Sequence, residues 1–122
     1  DVYDLIIIGA GPAGMSAAIY AARGQIRTLL IEKAMPGGQV SSIWKIENYI
    51  GFPHGILGTE LTKRMEAHLS EFKVDKAWGY VSGLEHVHKP IKCVKTDIGM
   101  RYFTRTLIIA SGLEPKKLNI PG

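Results

Sequence analysis

The feature that most constrains this chain is a run of apolar, β-branched residues that leads directly into three spaced glycines. Residues 5–14 read LIIIGAGPAG, with Gly9, Gly11 and Gly14 in the pattern G-x-G-x-x-G. The apolar residues 5–8 predict a strand that is buried on both faces, as in a parallel sheet. The glycine pattern alone is weak evidence, so its meaning depends on the residues around it.

Each glycine of the pattern has a physical role where a strand turns into a helix. Gly9 permits a tight turn, Gly11 lets a pyrophosphate approach the backbone, and Gly14 lets the following helix pack closely on the strand. Pro12 suits the first helical position, because the N–H that it lacks would be unpaired there. The free N–H groups and the positive dipole end of such a helix bind a diphosphate.

The neighbouring residues complete a βαβ unit. Residues 15–23 are rich in Ala and in strong helix formers, and residues 28–31 form a second β-branched apolar run that ends at Glu32. Glu32 follows Gly14 by 18 residues, near the spacing of the acid that holds a ribose hydroxyl, and an acid there fits an unphosphorylated adenosine ribose. The alternative is an exposed glutamate at a strand end, with Lys33 as its surface neighbour.

Size and composition limit the class of protein. A chain of 122 residues, 46% hydrophobic and 21% charged, fits one ordinary globular domain. The net charge is +4 with scattered Lys and Arg, so we expect no nucleic-acid partner. No run of about 18 apolar residues occurs, so we expect no membrane span. The single cysteine, Cys93, is interpreted as a small core residue, and the four scattered histidines predict no metal site.

The middle of the chain predicts a long irregular segment and then a helix. Residues 34–57 are rich in Gly and Pro, and a segment of this length in a compact domain is usually functional or disordered. Its aromatic residues argue against disorder. Residues 58–60 open a helix that Thr59 can cap. The expected buried face of this helix holds Leu61, Met65, Leu69 and Phe72.

The last third of the chain predicts short strands. Candidates lie at residues 76–81, 84–87, 91–96 and 100–104, and they suggest an antiparallel meander inserted as a crossover. Residues 106–110 form another buried-strand run, expected to lie parallel beside the first strand. The whole order predicts an α/β class, a doubly wound Rossmann-like FAD-binding domain with a βαβ unit, a parallel sheet and an inserted antiparallel β-meander.

Four separated motifs go beyond a generic nucleotide fold, at residues 6–23, 29–39, 46–53 and 107–122. Together they resemble the N-terminal part of the FAD-binding domain in the thioredoxin reductase-like pyridine nucleotide-disulfide oxidoreductase family. The resemblance implies a flavoprotein oxidoreductase that passes electrons from NAD(P)H to FAD and then to a disulfide. It also implies thioredoxin or a thioredoxin-like protein as partner, a homodimer and a cytoplasmic location, and it leaves NADPH, NADH or ferredoxin open as the electron donor.

The resemblance assigns cofactor-binding roles to residues of this sequence. The residues that would cradle the FAD pyrophosphate are Gly9, Gly11, Pro12, Ala13 and Gly14. The residues that would hold the adenosine are Glu32 at the ribose, Lys33 nearby, and Tyr80 and Val81 through their backbone at the adenine. Those that would lie near the ribityl chain and the flavin are Gly38, Gln39, Asn48, Ala110, Ser111 and Gly112.

Simpler interpretations of some of these residues stay open. Gly37 and Gly38 could form only a flexible turn, and Asn48 could bond its own backbone in an Asx-turn. Tyr49 and Phe52 are more typical of core or loop anchors than of residues that stack on a ligand.

The redox machinery of the family is not in this sequence. There is no second G-x-G-x-x-G and no C-x-x-C pair, so no catalytic residue is assigned. We expect residues 1–122 to be the N-terminal segment of an FAD-binding domain, with the NADPH domain and the C-terminal FAD segment absent. NAD(P)H would bind outside this chain, which alone would be inactive and would retain FAD weakly or not at all. The alternatives are a fragment of the flavoprotein component of alkyl hydroperoxide reductase, or a freestanding dinucleotide-binding module without catalysis.

Overall fold

The computed structural model describes residues 1–33 and 44–111, which fold into two helices and eight strands. In chain order these are β1 (Val2–Ile8), α1 (Pro12–Arg23), β2 (Thr28–Glu32), β3 (Lys45–Ile46), β4 (Ile56–Leu57), α2 (Gly58–Ser70), β5 (Asp75–Trp78), β6 (Val81–Glu85), β7 (Lys92–Thr96) and β8 (Arg101–Ile109).

A six-stranded sheet is the frame of the molecule, with the strand order β5-β2-β1-β8-β7-β6. Strands β5, β2, β1 and β8 run parallel to one another, and β7 and β6 complete the sheet in antiparallel pairs. In the central register Ile6 pairs with Leu29 on one side and with Leu107 on the other. The predicted α/β class, with its βαβ unit, parallel sheet and antiparallel meander, is confirmed.

Strand β1 contributes to the core on both faces of the sheet, because successive side chains of a strand point to opposite faces. The core on the helix side holds Leu5, Ile7, Ala10, Met15, Ala18, Ala21, Leu30 and Leu69. The core on the meander side holds Ile6, Ile8, Leu29, Ile31 and Val94. Full burial of each large aliphatic side chain stabilises the fold by roughly 1.5–3 kcal/mol, so the first strand is the best anchored element of the sheet.

The expected strand at residues 76–81 is wrong in its bounds and in its partner. The strand is Asp75–Trp78, and it pairs in parallel with β2 at the edge of the sheet rather than joining the meander. The chain leaves it at Gly79, whose N–H donates to the carbonyl of Glu32 at 3.0 Å. Its side chains are exposed or half-buried without a regular alternation, so the sequence does not show which neighbour it pairs with.

The two expected runs at residues 100–104 and 106–110 belong to one long strand, β8. Its first part pairs with β7, as in the pairing of Phe103 with Cys93, while residues 103–109 run parallel beside β1. The meander and the parallel sheet therefore share this strand. Cys93 is only 1% exposed, which confirms its interpretation as a core residue.

The predicted cap of α2 is wrong. The helix begins at Gly58 after Leu57, without a side-chain hydrogen bond at its cap, so Thr59 already lies in the first turn. The predicted apolar face is present, with Leu61 and Leu69 buried. The described part of the preceding irregular segment contains the short antiparallel pair β3–β4, which the sequence did not predict because each strand has two residues.

In the described ranges, no helix is both long and apolar enough to cross a membrane. Within the same ranges, no group of His, Cys, Asp or Glu side chains could hold a metal ion.

Candidate functional site

The turn between β1 and α1 is closed against the end of β8. Gly9 has φ +107°, a left-handed conformation that strongly favours glycine. A Cβ placed on Gly9 would lie 2.2 Å from the carbonyl oxygen of Ala110. Ladder hydrogen bonds hold this arrangement on both sides, because Gly9 donates to the Ile31 carbonyl at 2.8 Å and Ala110 donates to the Ile8 carbonyl at 2.7 Å. A side chain at Gly9 would therefore displace the backbone that directly follows β8.

The start of α1 presents main-chain N–H groups to the same region. Gly11 is the N-cap and has no side chain to cap the helix, and the first turn holds no acidic residue. The first helical hydrogen bond runs from Met15 N–H to the Gly11 carbonyl at 3.0 Å. Helix geometry leaves the N–H groups of Ala13 and Gly14 without a carbonyl four residues earlier in the helix. Such a helix start attracts an anion.

Gly14 sets how closely α1 approaches the turn. A Cβ on Gly14 would lie 1.7 Å from the carbonyl oxygen of Gly9, and 3.5 Å from Cγ2 of Ile7. The predicted close packing of the helix on the strand is present, and its tightest point is Gly9, the first residue after β1. The spacing of the glycines thus follows from two backbone contacts.

Glu32 reaches this turn from the end of β2. Its Oε2 accepts a hydrogen bond from the N–H of Ala10, and its Oε1 accepts one from the N–H of Lys33, both at 2.7 Å. The side chain is half-buried, so the carboxylate belongs to the turn rather than to the open surface.

A cavity of about 430 Å³ opens at the carboxyl ends of β1, β2 and β8. It is lined by Ile8, Gly9, Ile31, Glu32, Lys33, Gly79, Tyr80, Val81, Leu84, Ile109 and Ser111. The sheet order reverses here, since β2 lies on one side of β1 and β8 on the other, and open α/β sheets bind ligands at such a crevice. Apolar side chains offer a wall for a flat base, while the Glu32 carboxylate offers acceptors for hydroxyl groups.

Lys33 and Tyr80 form one side of this cavity. The Lys33 ammonium lies 5.5 Å from the centre of the Tyr80 ring, within the range of a cation–π interaction. The Tyr80 carbonyl accepts a hydrogen bond from the N–H of Asp97 at 2.9 Å, which joins the start of β6 to the end of β7.

The structure brings most of the residues predicted from the sequence to one end of the sheet. Those that line the cavity are Gly9, Glu32, Lys33, Tyr80, Val81 and Ser111. Those that form the adjoining turn and its contact with β8 are Gly11, Pro12, Ala13, Gly14 and Ala110. Asn48 is exposed between β3 and β4 and does not line this cavity. Three further predictions, Gly38, Gln39 and Gly112, lie outside the described residues.

Two residues that bond Glu32 were not assigned a site role from the sequence, and neither were the apolar residues that line the cavity, Ile8, Ile31, Leu84 and Ile109. Ala10 donates the hydrogen bond to Glu32, and its place between two motif glycines was the only available signal. Gly79 lines the cavity, and its N–H donates to the Glu32 carbonyl. It was not identified because the sequence predicted a strand at residues 76–81 that includes it.

Comparison with known proteins identifies the family. Residues 3–122 match the family described as pyridine nucleotide-disulphide oxidoreductase, and the chain belongs to that family. It is 45% identical over 121 residues to the thioredoxin reductase of Bacillus subtilis (strain 168), an alignment that covers 99% of this chain and 37% of that protein. The chain thus spans well under half of this relative.

Solved structures agree with this assignment. The crystal structure of Lactococcus lactis thioredoxin reductase in its FR conformation has a TM-score of 0.88 and 44% identity, over 98% of this chain and 39% of that one. The thioredoxin reductase of Streptococcus pyogenes MGAS5005 has a TM-score of 0.87 and 42% identity, over 99% of this chain and 39% of that one.

Proposed function

We propose that this chain is the N-terminal part of the FAD-binding domain of a thioredoxin reductase-like flavoprotein. Family membership and identity to thioredoxin reductases support the proposal. The observation that carries it is the β1–α1 turn, where an added Cβ would lie 2.2 Å from a backbone carbonyl oxygen at Gly9 and 1.7 Å from one at Gly14, so neither position accepts a side chain. Only this tight, side-chain-free turn leaves the helix amides open to a diphosphate.

The residues present fit the adenosine diphosphate half of FAD. The N–H groups of Ala13 and Gly14 would bind the pyrophosphate, and the Glu32 carboxylate would accept hydrogen bonds from the ribose hydroxyls. The cavity wall beside Tyr80 and Val81 would hold the adenine.

The flavin end of the cofactor would lie near a second set of residues. Those proposed for it are Gly38, Gln39, Asn48, Ala110, Ser111 and Gly112. The flavin, when bound, supplies two-electron redox chemistry. In this account the described residues bind and orient the cofactor and carry no redox thiol pair, because the sequence has a single cysteine.

The full activity belongs to the longer protein that we propose. Electrons would pass from NAD(P)H, bound outside this chain, to FAD and on to a disulfide, with thioredoxin or a similar protein as the acceptor. The relatives that support this are thioredoxin reductases of which the chain covers 37–38%. We propose a homodimer as the assembled form.

The experiment that tests the proposed site compares ADP with its 2′-phosphorylated form by calorimetric titration into the chain. The Glu32 carboxylate would accept a hydrogen bond from a free 2′-hydroxyl and would repel a 2′-phosphate. We expect ADP to bind roughly tenfold more tightly, a discrimination of about 1.4 kcal/mol. Absence of ADP binding, or equal affinity for both ligands, would contradict the proposal.

A further inference from the structure

Glu32 acts on the turn itself as well as facing the cavity. We infer that Glu32 is a positioning residue: its carboxylate fixes the main-chain N–H of Ala10 and thereby the path of the turn that receives the diphosphate. The inference rests on the proposed function only for the identity of the ligand. The hydrogen bond from Ala10 to Oε2, at 2.7 Å, is its starting point.

Ala10 needs a partner that the sheet does not supply. The preceding amide, that of Gly9, makes a ladder hydrogen bond to Ile31, after which the positive φ of Gly9 turns the chain out of the strand. Ala10 is then 2% exposed, so its N–H lies away from water. A buried donor without an acceptor is destabilising, and the Glu32 side chain provides the acceptor.

The register of the sheet explains why residue 32 can do this. Ile8 pairs with Ile31, which places Glu32 level with Gly9 at the carboxyl end of the sheet. The backbone of Glu32 is fixed by the hydrogen bond from Gly79 to its carbonyl, and its Oε1 is held by the N–H of Lys33. With both carboxylate oxygens bonded to main-chain amides, the group is held in one orientation, and hydrogen bonds to a carboxylate are the stronger kind.

The same carboxylate can serve the turn and a ribose together. The carboxylate accepts from the Ala10 and Lys33 amides, and a carboxylate can accept about four hydrogen bonds, so a role at the turn does not exclude a role at a ribose. A role at the turn has a consequence for ligand binding that a contact with the ribose alone does not have. Loss of Glu32 must weaken the binding of a diphosphate ligand even when that ligand has no ribose hydroxyls.

The first test examines the hydrogen bond in the unliganded chain by NMR. We expect a scalar coupling across the hydrogen bond between the Ala10 amide nitrogen and the side-chain carboxyl carbon of Glu32. We also expect Ala10 amide exchange to be roughly tenfold faster in Glu32→Ala, and unchanged in Glu32→Gln, which keeps one carbonyl acceptor. The Gly9 amide, bonded to a main-chain carbonyl, serves as the internal reference for folding.

Glu60→Ala is the matched control, because Glu60 is an exposed acid on α2 that pairs only with Arg64 among the described ion pairs. It should leave Ala10 exchange at the wild-type rate. An absent coupling in the wild-type chain, or an unchanged Ala10 rate in folded Glu32→Ala, overturns the inference. Because the coupling is measured in the wild-type chain, it shows whether the hydrogen bond exists even if Glu32→Ala does not fold.

The second test uses ADP and 2′,3′-dideoxyadenosine 5′-diphosphate, which lacks both ribose hydroxyls. We expect the dideoxy ligand to bind Glu32→Ala roughly tenfold more weakly than wild type, and Glu32→Gln as tightly as wild type. If wild type and Glu32→Ala bind the dideoxy ligand with equal affinity, Glu32 acts on binding only through the ribose hydroxyls, and the inference is overturned. If neither ligand binds the wild-type chain, the proposed function fails, while the exchange and coupling data still decide the role of Glu32.

Discussion

Gly14 is the residue at which the turn tolerates least change. An added Cβ would lie 1.7 Å from the Gly9 carbonyl oxygen. That oxygen belongs to the backbone, and the position of a Cβ is set by the backbone of its own residue, so neither atom can swing aside. We expect Gly14→Ala to shift α1 or the turn and to lower the free energy of unfolding by about 1–3 kcal/mol. Urea denaturation measures the loss, and ADP affinity should fall with it.

Gly83 provides the matched control for that substitution. A Cβ there would meet no atom within 4 Å, so Gly83→Ala should change the free energy of unfolding by less than about 0.5 kcal/mol. Equal losses in the two variants would show that the close approach at Gly14 is not what constrains that position.

The residues of the site differ in how far the sequence could reveal them. The glycines and Glu32 were predicted because their spacing is local to one βαβ unit. Ala10 was not assigned a role, because its hydrogen bond runs from the turn after β1 to a side chain at the end of β2. That contact depends on the register of β1 with β2. The exposure of Asn48 likewise follows from how residues 44–57 pack, which the local sequence does not specify.

At the scale of elements, Tyr3 links the start of β1 to β5 across β2. Its hydroxyl donates to Oδ2 of Asp75 at 2.8 Å. Burial first, and then this hydrogen bond, raise the pKa of Tyr3 above its ordinary value of 10.0. The neutral hydroxyl is thus favoured in the folded state. This contribution to stability is complete below pH 10.0 and is lost as the pH rises through the raised pKa.

The corresponding prediction compares wild type with Tyr3→Phe, which has no hydroxyl to ionise. From about pH 9 to pH 11 the free energy of unfolding should fall more steeply in wild type than in the variant. Tyr20→Phe, at an exposed tyrosine on α1, should keep the wild-type slope. Identical slopes for wild type and Tyr3→Phe would contradict a role for this hydroxyl in joining the two strands.

The elements also show which features of the fold local sequence can specify. Strand β2 and helix α1 were predicted close to their observed bounds, because buried runs and helix formers are local signals. For β1 only the buried residues 5–8 were predicted, and the strand begins earlier, at Val2. Strand β5 was assigned to the wrong partner, since a four-residue edge strand contains no information on whether its neighbour is parallel. The long β8 was divided in two because its alternation breaks at residues 104–106, where its partner changes from β7 to β1 alone.

At the scale of the whole molecule, we propose that FAD binding is divided between this chain and the rest of the longer protein. The cavity and turn proposed for the adenosine diphosphate half lie within the described residues, whereas the chain covers 37% of the Bacillus subtilis relative. We therefore expect FAD to bind this chain no more tightly than ADP. A visible spectrum after gel filtration with excess FAD should show no flavin band, and tight, stoichiometric FAD would contradict this division.

The most direct test of the central claim is an amide NMR titration of the chain with ADP. We expect the largest chemical-shift changes on the amides of residues 9–14, with further changes at Glu32, Lys33 and Tyr80. Changes concentrated instead in the groove between α1 and α2, around Ile19 and Met65, would contradict it, as would a turn whose amides do not respond to ADP.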